Sequence, residues 1–531
     1  MYITGPYKLA GKDVHYPLRV SFISHQQNLQ SLPNSEFLHG FCELLLTLAK
    51  AVHSVSASGI WTRFRNRFIG DRAFYKMALS LVVPVIIQNT VTSFVNLLDN
   101  VMVGNLGTAH LSGVAIANHL MFVFNLTIFG ALSGAGIYGA QFAGAKDWQR
   151  FRETLRFRLL VSVIITALAI FILTGWPVQL LSLYLQGEGD PADSAAMLSF
   201  GLQYLRIMLW GLLPFALSQS YSSALRDAGE TVLPMRATLV AVFTNLVFNY
   251  VLIFGKLGLP ALGVQGAALA TVISRLAEFF VVAVVAHKNM DRFFFLNGLY
   301  RSLRIGRDLT KNIMLKGMPL LVNELLWSSG MVTMTQILST KGLAVVGALN
   351  IAQTFTTLFG VFFFSFGTAV AIVTGQALGA GDGELAKAQV WKLMFFAVAV
   401  AGALGVLLSI SADWITQIYR TEAEVRSLAA AFMRATALCM PFQAIANCAY
   451  FAIRSGGRTL LTMAFDSIYV WVFCVPYTYA LVTFTALGIE SIYPLSQLQH
   501  PLKAVISLVA VGSGIWARNL VGEKTESALT D

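Results

Sequence analysis

The stretch of sequence that decides the fold occurs twice: residues 138–147 read YGAQFAGAKD and residues 373–382 read VTGQALGAGD. Matching residues of the two copies include Pro84 and Pro319, Gly107 and Gly342, Gln141 and Gln376, Gly144 and Gly379, and Asp147 and Asp382. The residue numbers of every pair differ by 235, and this offset aligns residues 84–147 with residues 319–382 without a gap. The chain is therefore predicted to contain a duplicated unit.

The composition indicates that this unit lies in a membrane. Of 531 residues 56% are apolar and only 12% are charged, and the mean hydropathy is +0.67. Apolar runs of about 20 residues recur between short polar breaks, which is the length that an α-helix needs to cross a bilayer. The predicted spans are residues 77–103, 111–140, 157–177, 196–222, 234–254, 263–286, 316–338, 345–375, 391–411, 427–452, 460–485 and 497–517. The runs are continuous rather than alternating, which excludes a β-barrel.

The positions of Lys and Arg predict the orientation. The formal net charge is +11, but the basic residues gather in alternate loops: before the first span, after the second, and between the sixth and seventh. This is the positive-inside pattern, so we expect both termini in the cytoplasm. The protein is thus expected to be a multi-pass protein of the plasma membrane that contacts lipids and does not bind nucleic acid.

The duplication predicts an all-α integral membrane protein with two six-helix lobes. An even number of spans per lobe places the pseudo-two-fold axis along the membrane normal. The expected domains are a cytoplasmic extension (1–72), the first lobe (73–287), a cytoplasmic linker (288–315), the second lobe (316–518) and a tail (519–531). Residues 37–52 within the extension are predicted to form a surface-lying helix. We expect the protein to be a monomer.

Asp99 is the first candidate for ion handling, because a carboxylate within a membrane helix is costly unless it has a function or a partner. Asn245 and Asn249 are four residues apart, so their amides share one face of the fifth helix at a depth that can meet Asp99. With a hydroxyl such as that of Thr271, these groups offer the hard oxygen ligands that suit Na⁺, or a carboxylate that accepts H⁺. The alternative is that Asp99 is a structural acid that caps a loop.

Pro84 is a candidate hinge in the first helix. A proline removes one backbone hydrogen bond, and Pro84 lies 15 residues before Asp99. Neutralisation of Asp99 is expected to bias this helix toward a conformation that releases cargo outward. A static kink, which is common in membrane helices, is the alternative.

Three further acids are predicted to share one depth: Glu278 in the first lobe, and Glu324 and Asp466 in the second. One hypothesis places them, with Arg275, in a polar layer that surrounds a cytoplasm-facing cleft and gates it or attracts cationic substrate. Glu324 is the first candidate for a substrate or proton site in the second lobe. The alternative for Glu278 is a buried ion pair with Arg275 at i−3. Lys503 is expected to lie too far outward to pair easily with Asp466.

Several motifs in order resemble those of the multidrug and toxic compound extrusion (MATE) family, bacterial branch, within the MOP flippase superfamily. They are DNVMVGNLG at residues 99–107, LRDAG at 225–229, NLVFNYVLIFG at 245–255, GVQGAALAT at 263–271, GMPLLVNE at 317–324 and WARNL at 516–520. The resemblance covers about residues 70–522. It implies secondary active efflux of small organic cations in exchange for Na⁺ or H⁺, with the first-lobe cation site at Asp99, Asn245, Asn249 and Thr271.

Two other functions are alternatives. A lipid-linked oligosaccharide flippase of the same superfamily is the nearest alternative, but it should present several cations in its cleft, whereas acids are expected to outnumber bases at central depth. A membrane-embedded transferase is disfavoured, because no two acids lie within one helical turn in a span and the eight His residues are scattered. No enzyme activity, cofactor or metal is expected apart from the coupling ion. The sequence leaves the coupling ion and the natural substrate open.

Overall fold

The computed structural model describes residues 7–9, 12–14, 65–183, 191–419 and 421–522. They belong to two compact units, Met1–Asn66 and Arg67–Asp531. In the first unit, β1 (Tyr7–Leu9) pairs with β2 (Lys12–Val14) in an antiparallel hairpin that the sequence analysis did not predict. The predicted surface helix at residues 37–52 lies outside the described residues.

The second unit contains two lobes of six long helices within the described part of the chain. The first lobe comprises α1 (Arg72–Gly104), α2 (Thr108–Gly144), α3 (Trp148–Gly175), α4 (Pro191–Asp227), α5 (Val232–Phe254) and α6 (Val264–Lys288). The second comprises α7 (Arg307–Ser339), α8 (Leu343–Gly379), α9 (Gly383–Gln417), α10 (Ala423–Ser455), α11 (Thr459–Phe484) and α12, which has two segments (Ile489–Gln497 and Gln499–Gly512). A short helix, Pro177–Ser182, follows α3. The predicted all-α architecture of two six-helix lobes is confirmed.

Equivalent residues begin equivalent helices in the two lobes. The carboxylates of Asp147 and Asp382 accept hydrogen bonds from the backbone N–H groups three residues later, at 3.0 and 2.8 Å, and so cap α3 and α9. Gly107 and Gly342 precede α2 and α8 with φ angles of 125° and 132°, in a region that only glycine enters freely. The repeat therefore preserves the backbone signals as well as the apolar pattern.

By length and composition, ten helices in the described part of the chain can cross a membrane. Helices α7 and α12 are not among these ten, but they occupy the positions in the second lobe that α1 and α6 occupy in the first. Helix α12 is broken at Leu498, because Pro501 lacks the N–H that would bond to the carbonyl of Gln497. This helix begins at Ile489, eight residues before the predicted span.

The predicted linker is packed against the first lobe. Phe295, Leu296 and Leu299 are buried within it. From α3, Arg152 Nε donates to the carbonyl of Phe295 at 3.1 Å, and Arg156 Nε donates to the carbonyl of Leu299 at 2.8 Å. Because the backbone carbonyls of the linker are bound by arginines, the linker is part of the lobe rather than a loose tether.

Helices α1 and α7 exchange partners between the lobes. The beginning of α1, from Phe74 to Val82, lies in the hydrophobic core of the second lobe, whereas Ile313 of α7 lies in the core of the first. Past Pro84 and Pro319, the same helices pack on α5 and α11 of their own lobes. Each lobe is therefore tied to the other by one helix that crosses between them, which the division of the sequence at residues 288–315 did not anticipate.

The lobes also meet at the end of the bundle where α2 ends and α3 begins, which we call the basic end because Lys146, Arg150, Arg152 and Arg156 lie there. A Cβ added to Gly144 would overlap the backbone of Gln376, and one added to Gly379 would overlap the backbone of Gln141. The two contacts are related by the repeat. Only glycine permits α2 and α8 to approach so closely.

Replacing Gly144 and Gly379 together by Ala should open the basic end. The added methyl groups meet backbone carbonyls, which have little freedom to move, so the lobes must separate. In a cysteine-free background, a cysteine at the cavity-lining position Thr368 should become reactive toward a membrane-impermeant maleimide added from the basic side. Gly402→Ala is the control, because a Cβ at Gly402 meets no atom within 4 Å. Equal labelling of the two variants would argue against this contact as the seal.

Candidate functional site

A cavity of about 610 Å³ lies between the lobes. Helices α1, α2, α4, α5 and α6 form most of its wall, and α8 and α10 close it from the second lobe. Its charged lining residues are Asp99, Asp227, Glu278, Arg226, Arg275 and Arg454. The prediction that acids outnumber bases at central depth is therefore wrong for this cavity, because it is lined by three acids and three bases.

The four residues predicted for the first-lobe site form one hydrogen-bonded chain. Asn249 Nδ2 donates to Asp99 Oδ1 at 2.5 Å and to Asn245 Oδ1 at 2.9 Å. Asn245 Nδ2 in turn lies 3.4 Å from Thr271 Oγ1. The side chains thus connect α1, α5 and α6 at one depth. The carboxylate of Asp99 lies on the cavity wall, and it is not a loop cap, because its partner is a side chain on another helix.

One oxygen of this chain has no partner. Asn249 Oδ1 is buried and accepts no hydrogen bond from any described residue. Buried polar atoms are nearly always satisfied, so an orphaned acceptor beside a carboxylate indicates a place for a cation or a donor. The carboxylate, the two amide oxygens and the Thr271 hydroxyl are hard oxygen ligands, which fit Na⁺, and the carboxylate alone can hold a proton.

Pro84 leaves a backbone carbonyl that a side chain then satisfies. A residue other than proline at position 84 would donate its N–H to the carbonyl of Ser80. Instead, Thr231 Oγ1, just before α5, donates to Ser80 O at 3.1 Å. The backbone of α1 beside Pro84 is thus stabilised by a residue of its own lobe, at the place where this helix passes from the second lobe to the first.

Glu278 and Asp466 belong to two related series of hydrogen-bonded side chains, one in each lobe. In the first lobe, Gln88 Nε2 donates to Thr238 Oγ1 at 2.9 Å, and Thr238 Oγ1 donates to Glu278 Oε1 at 2.7 Å. In the second lobe, Asp466 Oδ2 accepts from Asn323 Nδ2 at 2.9 Å and Asp466 Oδ1 accepts from Lys503 Nζ at 2.6 Å. Asn323 is the repeat mate of Gln88 and Asp466 that of Thr238, so each chain joins the first, fifth and sixth helices of its lobe.

Two sequence-based pairings are corrected by these contacts. Lys503 does reach Asp466, because α12 begins earlier than predicted and carries Lys503 deeper into the bundle. Arg275 does not form an ion pair with Glu278 within the described part of the chain. Its guanidinium carbon lies 4.9 Å from the centre of the Phe215 ring, and its Nη1 is 3.5 Å from Gly211 O.

The predicted polar layer is also corrected. Glu278 and Arg275 line the cavity, but Glu324 and Asp466 do not. Glu324 Oε1 accepts a hydrogen bond from Tyr450 of α10 at 2.8 Å, a partner on another helix that its own helical sequence could not reveal. The two second-lobe acids are thus bound to partners inside their own lobe, and they do not surround a shared cleft.

Some residues of the site were not selected from the sequence. Gln141 Nε2 donates to Ser455 O at 2.9 Å, and Gln376 Nε2 donates to Asp227 O at 2.8 Å, so each lobe bonds to the end of the fourth helix of the other. The sequence did carry a signal for these contacts. Gln141 and Gln376 are repeat mates, and so are Asp227 and Ser455, whose residue numbers differ by 228.

Two six-helix lobes around a polar cavity define a membrane transporter of the two-lobed class. The family model MatE matches the chain twice, at residues 84–251 and 319–480. The chain belongs to the MatE family, and the two matches begin at Pro84 and Pro319, the repeat mates from which the duplication was recognised. The predicted resemblance is confirmed, and so is the prediction that the protein is a transporter rather than an enzyme.

Curated relatives are similar over most of their length. The chain is 25% identical over 448 residues to the "Probable multidrug resistance protein NorM" of Thermotoga maritima. The alignment covers 84% of this chain and 94% of the relative. It is also 25% identical over 441 residues to the "Probable multidrug resistance protein YoeA" of Bacillus subtilis, with coverage of 82% and 92%.

Solved structures share the fold. A multidrug resistance MATE family transporter of the MOP superfamily, solved in an outward-facing conformation, superimposes with a TM-score of 0.74 at 20% identity, over 85% of this chain and 97% of that one. A mutant of the Vibrio cholerae MATE transporter VcmN superimposes with a TM-score of 0.76 at 18% identity, over 84% and 98%. A third structure, of a MOP superfamily transporter from Pyrococcus furiosus described as having a binding pocket of reverse polarity, gives a TM-score of 0.73 at 20% identity, over 85% and 97%.

Thr231→Val should destabilise the protein only while Pro84 is present. In the natural chain the substitution leaves the Ser80 carbonyl without its donor, at a cost of about 1 kcal/mol. In a Pro84→Ala background the restored backbone N–H binds that carbonyl, so Thr231→Val should have little further effect. Thermal unfolding of all four proteins in detergent gives the coupling between the two positions. Purely additive losses of stability would contradict the role of Thr231 as the donor that replaces the missing N–H of Pro84.

Lys503→Met should be strongly destabilising, by about 3 kcal/mol, because it leaves the Asp466 carboxylate with an amide as its only described partner. The matched control is Lys387→Met, since Lys387 pairs with Glu384 at the surface and such pairs contribute little. A double variant, Lys503→Met with Asp466→Leu, should recover part of the loss. Unfolding temperatures of the three variants against the natural chain test the ranking, and equal losses for the two single variants would refute it.

Proposed function

We propose that the chain is a secondary active multidrug exporter that moves amphipathic organic cations outward in exchange for Na⁺ or H⁺ by alternating access. The observation that carries the proposal is the Asp99 carboxylate on the wall of the inter-lobe cavity. It accepts a hydrogen bond from Asn249, whose own side-chain oxygen, Oδ1, is buried without a partner among the described residues. The printed names of the curated relatives, probable multidrug resistance proteins, support the same class of cargo.

The positive-inside pattern supports placing the basic end in the cytoplasm. In this orientation the contacts of Gly144 and Gly379 seal the cytoplasmic side, and the structure corresponds to a state that is closed to the cytoplasm. Both termini are then cytoplasmic, the membrane is the plasma membrane, and the working unit is the monomer, because the cavity is formed by one chain.

Coupling follows from the way α1 is attached. The first part of α1 is fixed in the core of the second lobe, and the part beyond Pro84 is bonded through Asp99 to α5 of the first. A proton or Na⁺ that binds the Asp99 carboxylate replaces the hydrogen bond from Asn249 Nδ2 and so changes how α1 is held against α5. The two parts of the helix can then rotate about Pro84, which changes how the lobes meet.

A flippase for lipid-linked oligosaccharides is the second candidate. One observation favours it: Arg226, Arg275 and Arg454 all line the cavity, which suits a diphosphate better than a purely cationic cargo. The hydrogen-bonded group of Asp99, Asn249, Asn245 and Thr271 has no evident role in lipid flipping, whereas it is central to ion-coupled export. For this reason the exporter is the function that we propose.

Purified protein in liposomes, with inward Na⁺ and H⁺ gradients imposed separately, tests the function directly. A cationic dye should be driven against its own gradient by one ion and not by the other. The same vesicles, carrying a fluorescent lipid-linked oligosaccharide in place of the dye, test the second candidate. Lipid movement without ion-driven dye transport would reverse the choice.

Asp99→Asn should abolish ion-driven dye transport, by at least about 100-fold, while the protein still folds and inserts. The amide is nearly isosteric and keeps a polar group for Asn249, but it provides no negative charge for an ion. Asp413→Asn is the matched control, because Asp413 forms an exposed ion pair with Arg434 away from the cavity. Unchanged coupling in the Asp99 variant would remove the basis of the mechanism.

A further inference from the structure

The basic end of the cavity contains two arginines that the ion-coupled mechanism does not use. Arg226 lies near the end of α4 and Arg454 near the end of α10. Their residue numbers differ by 228, the same offset that relates Asp227 to Ser455, so they are repeat mates. Both line the cavity, one from each lobe.

The two arginines come from chain segments that the lobe contacts bring together. Each immediately precedes a residue whose backbone carbonyl is bound by a glutamine of the opposite lobe: Gln376 donates to Asp227 O and Gln141 donates to Ser455 O. The Asp227 carboxylate lies within electrostatic range of both Arg226 and Arg454. Both side chains line the same cavity, at its closed basic end.

Asp227 does not neutralise this pair by itself. Its carboxylate is bound by Arg158, a fully buried residue of α3 that also donates from Nη1 to Ser223 Oγ at 3.1 Å. The remaining acids near the arginines are Glu278 and Glu324, which accept hydrogen bonds from Thr238 and Tyr450. Neither acid forms an ion pair with Arg226 or Arg454 within the described residues.

The arginines consequently have unused donors. Arg454 stacks against Phe129 and Phe451, with its guanidinium carbon 5.7 and 5.4 Å from the ring centres, and its buried Nη1 has no hydrogen-bond partner among the described residues. Arg226 lines the cavity, and its guanidinium forms no hydrogen bond or ion pair with any residue in the described part of the chain. Guanidinium donors that lack a hydrogen-bond partner inside a membrane protein are costly, so an anion from a ligand would be bound favourably.

We propose that Arg226 and Arg454 form an anion subsite at the basic end of the cavity, which takes the carboxylate or phosphate of a zwitterionic amphiphile. The planar donors of arginine match such groups. The cationic part of the same cargo then lies toward Asp99 and Glu278 and its apolar part contacts the aromatic lining, for example Phe215 and Phe451. This assignment rests on the proposed export function and narrows its cargo from organic cations in general to those that also carry an acid.

The subsite also links cargo to conformation. One arginine belongs to each lobe, so an anion held by both bridges the lobes at the basic end. When the lobes separate there, the anion loses one of its two partners. The acidic group of the cargo should therefore stabilise the state that is closed at the basic end.

A matched pair of dyes isolates the acidic group. Rhodamine B carries a cationic ring system and a free carboxylate, whereas its ethyl ester carries the cation alone. Equilibrium binding to the purified full-length chain in nanodiscs of neutral lipid, without an ion gradient, should be about tenfold tighter for rhodamine B. Arg226→Gln and Arg454→Gln should each remove most of this preference while the affinity for the ester changes less than about twofold. The Lys variants, which keep the charge, should retain part of it.

The control is Arg434→Gln, on the same helix as Arg454 but outside the cavity lining, which should leave both affinities unchanged. Equal weakening of both dyes by the Gln variants would mean that the arginines only support the structure, and would overturn the subsite. A preference for rhodamine B that disappears when phosphatidylglycerol is added would assign the arginines to a lipid headgroup and would also overturn it.

Binding and transport separate the two proposals. If the ester is driven by an ion gradient but rhodamine B has no binding advantage, the subsite fails and the export function stands. If the binding preference and its loss in the variants are observed but neither dye is driven by either ion, the subsite stands and ion-coupled export fails.

Discussion

The close approach of α2 and α8 at the basic end is the constraint on which the rest of the structure depends. Gly144 contacts the backbone of Gln376, and Gly379 contacts the backbone of Gln141. This proximity allows each glutamine side chain to reach a backbone carbonyl at the end of the fourth helix of the other lobe. The cavity, its charged lining and the position of the crossing helices all follow from how the two lobes are held at this point. These hydrogen bonds contribute more in a bilayer than in water, because no water is present in the bilayer core to replace a lost partner.

The duplication explains why the fold could be predicted from sequence. The contacts that Gly144, Gly379, Gln141 and Gln376 make between α2 and α8 and with the ends of α4 and α10 involve residues that are repeat mates. An ungapped match over residues 84–147 and 319–382 is visible without coordinates. The Asp99 site was accessible for a similar reason, because the spacing of Asn245 and Asn249 fixes their shared face on one helix. Local geometry of this kind depends on one helix at a time, and the helical period is constant.

The errors arose where the outcome depends on more than one helix. The sequence places Lys503 too far outward to pair easily with Asp466, because the last span is predicted to start at residue 497. Helix α12 instead begins at Ile489 and is interrupted at Leu498, and Lys503 reaches Asp466. The spacing of Arg275 and Glu278, one turn apart, predicts an ion pair as one alternative, yet Thr238 of a neighbouring helix provides the hydrogen bond to Glu278. The exchange of α1 and α7 between the lobes left no sequence signal, since an apolar helix face does not specify which apolar surface it contacts.

The exchange of α1 places Asp99 on a helix that both lobes hold. If α1 belonged entirely to the first lobe, a change at Asp99 would rearrange only that lobe. Because Phe74, Ala78, Leu81 and Val82 at the start of α1 are buried in the core of the second lobe, a movement of the far end of α1 also acts between the lobes. Pro84 lies at the change of partner, and Thr231 of the first lobe binds the carbonyl that the proline leaves free. Helix α1 is therefore packed in the core of the second lobe before Pro84 and bonded to α5 of the first lobe beyond it. In the second lobe, Asn323 lies four residues after Pro319 on α7 and donates to Asp466 of α11.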